Sequence, residues 1–283
     1  METLTKKGLD GTQLKMIALV LMVLDHIHYF FAFTGAVPEV LSMAARLSAP
    51  LFLFCTVEGF AHTHDRKRYF LRIWAIGAGM AAIEFFMIYG HMFRRGDDFY
   101  PQNAIFQDFI LLCIVWQGMD WLREKKLSRG IAAIAAVVGW PFLIVFLMQN
   151  FPQLQSSALF AFVITSPLPM WNSITDGGWG YLLGGVVLYA LRNHRKVQVV
   201  AWAVATFLSD FVLVWLMARS QPGFVWTQMF TTYYEWFGVG AAVLMLLYNG
   251  KRGSGHKQWF YWFYPAHVYL FYGASCLLYN VLR

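Results

Sequence analysis

The stretch Leu14–Phe33 reads LKMIALVLMVLDHIHYFFAF and is the first long apolar run of the chain. About 20 residues of helix, at about 1.5 Å per residue, match the roughly 30 Å hydrocarbon core of a bilayer. The run contains Asp25 and His26 and lacks a cleavage site of small residues, so we expect a retained membrane helix and not a signal peptide.

The rest of the chain has the composition of a membrane protein. Hydrophobic residues make up 59% and charged residues 13%, and the mean hydropathy is +0.50, against roughly 25% charged residues in soluble domains. We expect one all-α domain over residues 1–283, a polytopic transmembrane helix bundle of about nine to ten spans. After the first run, the spans expected are Val40–Ala61, Tyr69–Tyr89, Ala104–Leu122, Ile131–Gln149, Trp179–Leu191, Val197–Ala218, Thr227–Leu247 and Trp259–Leu282.

The distribution of Lys and Arg orients the expected bundle, because short cytoplasmic loops retain positive charge. With the N-terminus in the cytoplasm, most of the cations fall on the inner side, and the outer side holds only Arg94, Arg95, Arg219 and Arg283. The apolar stretch 156–171 is interrupted by Pro167. If it crossed the membrane, the number of crossings between Asn150 outside and Arg192 inside would be even, so we expect it to be re-entrant or to lie on the surface. The net charge of +7 therefore reflects the positive-inside bias, and we expect no nucleic-acid partner.

Cysteine spacing supports neither a disulfide framework nor a metal centre. Cys55, Cys113 and Cys276 all fall in expected spans and no CxxC pair occurs. We expect no metal.

Ionisable residues inside spans are costly, so each one is a candidate functional residue. Asp25 and His26 lie near the expected midplane, with His28 one turn from Asp25. They indicate either proton chemistry or an Asp–His pair that only packs the bundle. His267 follows Pro265, whose missing N–H is expected to kink the last helix and open a cavity. The alternative for His267 is a structural hydrogen bond to a neighbouring carbonyl.

Four further ionisable residues are candidates for the acceptor side of a reaction. Arg46 is expected to bind a charge of the acceptor or Asp25, and the alternative is that it snorkels to the outer interface. Glu58 precedes His62 by four residues, which also fits a plain helix-end pair. Glu84 near the outer leaflet suits an amine or hydroxyl, or pairs with Arg46.

A basic, glycine-rich segment joins the last two apolar stretches. It reads Tyr248-Asn249-Gly250-Lys251-Arg252-Gly253. Cations at such a position suit an anionic ligand at the membrane surface.

Four blocks of sequence together resemble the TraX family, which is named for the F-type pilin N-acetylase. They are Leu14–Ala18 leading to Asp25-His26-Ile27, Arg46–Phe52 leading to Glu58–Thr63, Tyr248–Gly253, and Phe260–His267, and they extend over nearly the whole chain. His28 and Ala45 stand where the family pattern has glycine. The resemblance implies a multi-pass acyltransferase of the bacterial inner membrane. It would use acetyl-coenzyme A as acyl donor and a pilin N-terminus or another cell-envelope amine or hydroxyl as acceptor.

The residues fit that chemistry. A histidine suits the removal of a proton from the nucleophile at neutral pH, so we expect His26 or His267 to be the base and Asp25 to support it. The coenzyme's phosphates need a cationic mouth, for which the expected residues are Lys251, Arg252, Lys257, Asn249, Arg66 and Arg68. We expect the acceptor to be bound by Arg46, Glu58, His62 and Glu84.

Two other classes of protein compete with this interpretation. A proton-coupled transporter would use the intramembrane Asp and His residues as a relay, and it should show broken helices in two related halves. A scaffold without catalysis would leave the intramembrane charges unexplained. The sequence does not indicate the oligomeric state or the acceptor.

Overall fold

A computed structural model of the chain describes residues 8–173, 177–255 and 257–283, with the side chains of residues 257 and 258 left out. Within these ranges the fold is all-helical, as expected. The helices are α1 (Gly11–Phe31), α2 (Val40–Ala45), α3 (Ser48–Ala61), α4 (Arg66–Tyr89), α5 (Ile105–Arg123), α6 (Leu127–Asn150), α7 (Ala158–Thr165), α8 (Gly178–Ala190), α9 (Arg195–Phe207), α10 (Val214–Ala218), α11 (Gln228–Thr231), α12 (Ala241–Leu246) and α13 (Lys257–Leu282).

Six helical segments in the described ranges are long and apolar enough to cross a membrane. They are Gly11–Thr34, Val40–Ala61, Arg66–Tyr89, Ile105–Arg123, Leu127–Asn150 and Arg195–Ala218. Two shorter apolar helical segments are Gly178–Ala190 and Tyr234–Leu246. The protein is therefore a helical membrane protein, while the nine to ten spans of the sequence analysis stay a prediction.

Three of the expected spans are interrupted. The segment from Val40 to Ala61 breaks at Arg46–Leu47 between α2 and α3, and a π-helix, Leu208–Leu213, separates α9 from α10. The expectation of one helix over Thr227–Leu247 is wrong, because α11 and α12 are joined through a 3₁₀ helix, Tyr234–Gly240. π and 3₁₀ segments re-aim side chains and often mark functional positions.

The stretch 156–171 does not form a spanning helix. Its helix, α7, has eight residues, about 12 Å of rise, which is too short to cross a bilayer. The indole of Trp74 donates to the Pro167 carbonyl at 3.0 Å, and Gln107 donates to the Thr165 carbonyl at 3.0 Å. These bonds satisfy the carbonyls that the helix end and the prolines leave open.

The contacts of the chain form two compact units, described here separately. Unit 1 comprises Met1–Gly59 and Leu183–Phe260, and unit 2 comprises Phe60–Leu182 and Tyr261–Arg283.

The core of unit 1 forms where large side chains pack against small ones. A Cβ atom at Gly184 would lie 2.9 Å from the indole nitrogen of Trp202, so this glycine allows α8 and α9 to approach closely. Ser48 donates to the Ala18 carbonyl at 2.7 Å and ties α3 to α1. Such contacts between small residues are typical of helices packed in membranes.

Unit 2 depends on the α5–α6 pair, where two glycines face each other. A Cβ atom at Gly130 would lie 2.6 Å from Leu122 Cγ and 2.8 Å from the Gly118 carbonyl oxygen. Further along α6, a Cβ atom at Gly139 would meet nothing within 4 Å. Gly130 therefore lies on the face of α6 that contacts α5, whereas Gly139, nine residues on, lies on the opposite face.

We expect Gly130→Ala to destabilise the protein and Gly139→Ala to leave it unchanged or slightly more stable. The first change forces helices apart in a tight contact, which costs about 1–3 kcal/mol, whereas the second adds helix propensity of up to about 1 kcal/mol in open space. Thermal unfolding of the purified variants in one detergent measures the difference. Equal unfolding midpoints for the two variants would contradict the close α5–α6 contact.

Candidate functional site

Helix α1 begins with a complete capping box. The Asp10 carboxylate accepts from the Gln13 backbone N–H at 2.8 Å, and the Gln13 side-chain oxygen accepts from the Asp10 N–H at 2.9 Å. These two bonds satisfy orphan donors of the first helical turn. The positive end of the α1 dipole is therefore already neutralised by a side chain.

The segment Tyr248–Gly255, called here the glycine loop, runs alongside the start of α1. Asn249 N–H donates to the Leu9 carbonyl at 2.9 Å, and Gly11 N–H donates to the Lys251 carbonyl at 2.8 Å. Thr12 Oγ1 also donates to the Arg252 carbonyl at 3.3 Å. These bonds fix the loop backbone to residues that lie about 240 positions earlier in the chain.

Glycine is required at two places in this loop. Gly253 has φ +78°, and a Cβ atom there would lie 2.4 Å from the Asp10 carboxylate. A Cβ atom at Gly255 would lie 2.8 Å from Thr12 Oγ1. The small residues let the loop wrap closely around the cap of α1.

The cations of the glycine loop point away from its backbone contacts. The side chains of Lys251 and Arg252 are exposed, whereas Asn249 is used structurally, donating to the Gly8 carbonyl at 3.0 Å and accepting from Lys251 N–H at 2.8 Å. On α1, Lys15 is half-buried, with its Nζ 5.9 Å from the centre of the Phe260 ring. The side chain of Lys257 lies outside the described residues.

Glu58 forms an ion pair that the sequence analysis missed. Its Oε2 lies 3.0 Å from Arg195 Nη2, and the guanidinium of Arg195 packs between the rings of Phe54 and Tyr248, at 4.6 and 4.9 Å. Burial, and then the nearby Glu58 carboxylate, raise the pKa of Tyr248 to about 12. Glu58 therefore also anchors Arg195 beside the first residue of the glycine loop, while its expected pairing with His62 stays a prediction. His62 itself is exposed.

Of the two arginines at the start of α4 that were expected to bind the donor, Arg66 is held within unit 2. Arg66 Nη2 lies 2.7 Å from the buried Asp120, and Nη1 donates to Gln117 at 3.1 Å. This arrangement indicates a structural role for Arg66. Arg68 keeps an exposed side chain, 3.5 Å from Asp65 at the start of α4.

A second cluster in unit 1 surrounds Arg46 at the break between α2 and α3. Its guanidinium contacts both carboxylate oxygens of Glu235, at 2.9 and 3.0 Å, and forms an ion pair with Asp25. Ser42 Oγ donates to Asp25 at 2.7 Å and accepts from Arg46 at 2.8 Å. Arg46 therefore does not simply snorkel, since it crosslinks α1 and α2 to the 3₁₀ helix Tyr234–Gly240.

This cluster corrects the expected Asp25–His26 pair. Asp25 is directed to Arg46 and Ser42, because adjacent residues on a helix point about 100° apart. His26 is buried, with its ring 5.9 Å from Phe30 and 6.3 Å from Tyr29.

Two acidic residues of the cluster escaped the sequence analysis. Glu235 lies within the expected span Thr227–Leu247, and an ionisable residue inside a span is a candidate functional residue, so the sequence could have identified it. Asp210 lies in the π-helix, where Ser209 Oγ is 2.5 Å from its carboxylate, and it interacts electrostatically with Glu235. No sequence pattern shows that Glu235 lies beside Arg46 or that Asp210 interacts with Glu235.

The surroundings of His267 match the alternative of a structural hydrogen bond to a neighbouring carbonyl. Helix α13 is continuous through Pro265, and His267 Nδ1 donates to the Phe263 carbonyl at 2.9 Å. The ring is stacked on Phe263 at 5.0 Å and is buried. Because Nδ1 carries the proton in this bond, Nε2 is the basic nitrogen of the neutral ring.

Glu84, in unit 2, lines a small cleft between α4 and α13. The other lining residues are Met80, Met87, Pro101, Asn103, Val268 and Tyr269. The loop that leads to this cleft is held by Arg95, whose hydrogen bonds lower the pKa of the Asp97 carboxyl. Arg46, in unit 1, has Asp25 and Glu235 as its carboxylate partners. Within the described part of the chain, no group of three or more potential ligands could hold a metal ion.

We expect Arg46→Ala to destabilise the protein, because Asp25 and Glu235 would lose their shared countercharge. Asp25 and Arg46 are partly buried and Glu235 is exposed, so leaving Asp25 without its hydrogen-bonded partner costs about 1–3 kcal/mol. The double variant Asp25→Asn/Arg46→Gln should recover part of that loss. Thermal unfolding of the purified protein measures it, with Arg219→Ala as a control for an exposed arginine. A wild-type midpoint for Arg46→Ala would refute the crosslink.

Comparisons with known proteins identify the family of this chain. The family model described as "TraX protein" matches residues 10–275. The chain is also similar to a protein of Dichelobacter nodosus named "Probable fimbrial assembly protein FimC, serogroup H1", with 25% identity over 273 residues, 94% of this chain and 96% of the relative. No solved structure matches the chain significantly. Since the family model extends over most of its length, this membrane protein belongs to the TraX family.

Proposed function

We propose that the protein is a membrane-embedded acetyltransferase that uses acetyl-coenzyme A. The observation that carries the proposal is the glycine loop, whose backbone is bonded to the start of α1 while its Lys251 and Arg252 side chains are exposed. A rigid backbone with free cationic side chains suits a ligand with several phosphate groups. Membership of the TraX family supports acyl transfer as the chemistry.

The phosphates would be bound by side chains and not by the N-terminus of α1. Asp10 occupies that N-terminus with its own carboxylate, and a second anion there would be repelled. Lys251 and Arg252 are the primary donors, with Lys15 one helical turn inside α1 as a third cation. Arg68, exposed on α4, and Lys257 remain secondary candidates, while Asn249 shapes the loop. Arg66 is the weakest of the candidates because Asp120 neutralises it.

The transfer step needs one base. An amine or hydroxyl of the acceptor attacks the thioester carbonyl carbon, a new C–N or C–O bond forms, and the C–S bond breaks. The proton of the nucleophile passes to the base, and the departing thiolate of coenzyme A takes up a proton. We assign the base to His26, with His267 as the second candidate through Nε2, and either direct transfer or an acyl-histidine intermediate satisfies this balance. Asp25, tied to Arg46, would position α1 rather than support the imidazolium.

The acceptor would be a pilin N-terminus or another envelope molecule with an amine or hydroxyl. The relative named a probable fimbrial assembly protein supports a pilus-related acceptor. Arg46, Glu58, His62 and Glu84 are the residues proposed to contact it. By the positive-inside rule, the N-terminus and the glycine loop would lie on the cytoplasmic side of the bacterial inner membrane, where acetyl-coenzyme A is available.

A proton-coupled transporter is the competing function, and donor binding separates the two. We expect the purified protein to bind or hydrolyse acetyl-coenzyme A if it is an acyltransferase. A transporter of unrelated solutes should do neither.

Reversal of the loop charges tests the donor site. We expect Lys251→Glu/Arg252→Glu to weaken coenzyme A binding by about 1.5–3 kcal/mol for each charge-assisted bond lost, as measured by calorimetry on the purified protein. The double variant Lys126→Glu/Arg129→Glu changes the net charge equally at exposed positions of unit 2 and should bind normally. Unchanged affinity in the loop variant would refute the site.

Removal of the imidazole tests the base. His26→Ala should lower the rate of acetyl transfer by about 10²–10⁴ while coenzyme A affinity stays near wild type. His64→Ala, at an exposed histidine between α3 and α4, should keep full activity. If His26→Ala is fully active at normal expression and His267→Ala is not, the base is His267, and full activity in both would exclude a histidine base.

A further inference from the structure

The guanidinium of Arg195, in the first turn of α9, is held by two hydrogen-bonding partners. Its Nη2 lies 3.0 Å from Glu58 Oε2 on α3, and its Nη1 donates to the side-chain oxygen of Gln198 at 3.0 Å. Gln198 is fully buried and donates its own amide to the Leu188 carbonyl at 2.6 Å. That bond directs the amide oxygen of Gln198 toward Arg195, so the plane of the guanidinium is fixed.

Two aromatic rings pack against the same guanidinium. The rings of Phe54 and Tyr248 lie 4.6 and 4.9 Å from its central carbon, and they contact each other edge to face at 5.6 Å. A planar guanidinium can bond through its edges and pack on rings at the same time, whereas an ammonium is a compact point charge. This position therefore requires arginine and not merely a positive charge.

Tyr248 connects Arg195 to the backbone of the glycine loop. The Leu9 N–H donates to the Leu247 carbonyl at 2.9 Å, and the Asn249 N–H donates to the Leu9 carbonyl at 2.9 Å. Tyr248 lies between these two bonds in the chain. Its ring, held by Arg195, therefore ties the start of the loop to α3 and α9.

Arg195 also lies in the same region as a cation proposed to bind the donor. Lys15 and Arg195 both interact electrostatically with Cys55, which is buried on α3. The charge of Arg195 is neutralised by Glu58, and its side chain is 28% exposed. It is therefore better suited to hold the loop than to bind a phosphate itself.

We propose that Arg195 is the positioning residue of the donor site. It holds Tyr248, and through Tyr248 it keeps Lys251 and Arg252 in the conformation that receives the phosphates. The effect on the donor rests on the proposed function, whereas the hold on the loop does not. Without Arg195 the loop has to be ordered when the donor binds, and that ordering lowers the affinity.

Loop order is measured without a ligand, by amide hydrogen exchange of the purified full chain in one detergent. In Arg195→Ala, peptides that cover Tyr248–Gly255 should exchange about tenfold faster or more, because the loss of a charge-assisted hydrogen bond lets this segment open more often. Peptides from α5 should exchange as in wild type. Arg195→Lys keeps the charge and should still exchange faster in the loop.

The matched control is Arg219→Ala. Arg219 is another arginine of unit 1 that packs on a ring, with its guanidinium 4.8 Å from the ring centre of Trp215. Its removal should leave both the exchange of the glycine loop and the affinity for coenzyme A at wild-type values.

The effect on the donor is measured by calorimetry with coenzyme A. Both Arg195 variants should bind about tenfold more weakly. In the hydrolysis of acetyl-coenzyme A the loss should appear in KM, while kcat stays near wild type. General structural damage would lower kcat as well.

A double-mutant cycle separates positioning from direct binding. If Arg195 acts through Tyr248, the combination of Arg195→Ala and Tyr248→Leu should weaken coenzyme A binding no more than the stronger single change. Additive losses would mean that Arg195 binds a phosphate itself, and they would overturn the proposal. Wild-type loop exchange in Arg195→Ala, or in Arg195→Lys if Arg195→Ala fails to fold, would also overturn it.

The two possible failures give different results. If loop exchange becomes faster in the Arg195 variants but the wild type does not bind coenzyme A, the proposed function is wrong and the hold of Arg195 on the loop stands. If the wild type and both variants bind coenzyme A equally and their loops exchange equally, the positioning role is wrong and the proposed function stands.

Discussion

A charge at membrane depth has to be neutralised by the protein itself, and Arg46 shows how this requirement shapes unit 1. Its guanidinium bonds to Asp25 on α1 and to Glu235 on a 3₁₀ helix. Arg46 and Asp25 are mostly withdrawn from solvent, with side-chain exposures of 20% and 26%, so each offsets the desolvation of the other, while Glu235 stays 65% exposed. The break between α2 and α3 lies at Arg46 itself.

The same rule applies at the other end of unit 1, with a different consequence. Glu58 neutralises Arg195, and the rings of Phe54 and Tyr248 cover its guanidinium. Since Tyr248 begins the glycine loop, this pair fixes the loop at one end while α1 fixes its middle. The side chains of Lys251 and Arg252 in this fixed loop stay exposed.

Small residues provide the second constraint, because they decide where backbones can approach. Gly253 and Gly255 let the loop contact Asp10 and Thr12, and Gly118 and Gly130 let α5 contact α6. The close approach in the loop positions side chains, whereas the approach in unit 2 builds a stable pair of helices. In both places a Cβ atom on the glycine would clash with atoms of the neighbouring segment, so a larger residue would push the two segments apart.

The sequence by itself determined the all-helical membrane fold and most helix positions, because hydrophobic length is read directly against bilayer thickness. It also marked Asp25, Arg46, Glu58 and the glycine loop as exceptional, since charge in an apolar run and glycine beside cations are local signals. Only the tertiary structure decided the partners. Asp25 pairs with Arg46, Glu58 pairs with Arg195, and Arg66 is committed to Asp120, although Glu235 and Arg195 are far away in the chain. Such pairings depend on which helix faces meet, and helix faces are brought together by tertiary packing and not by the local sequence.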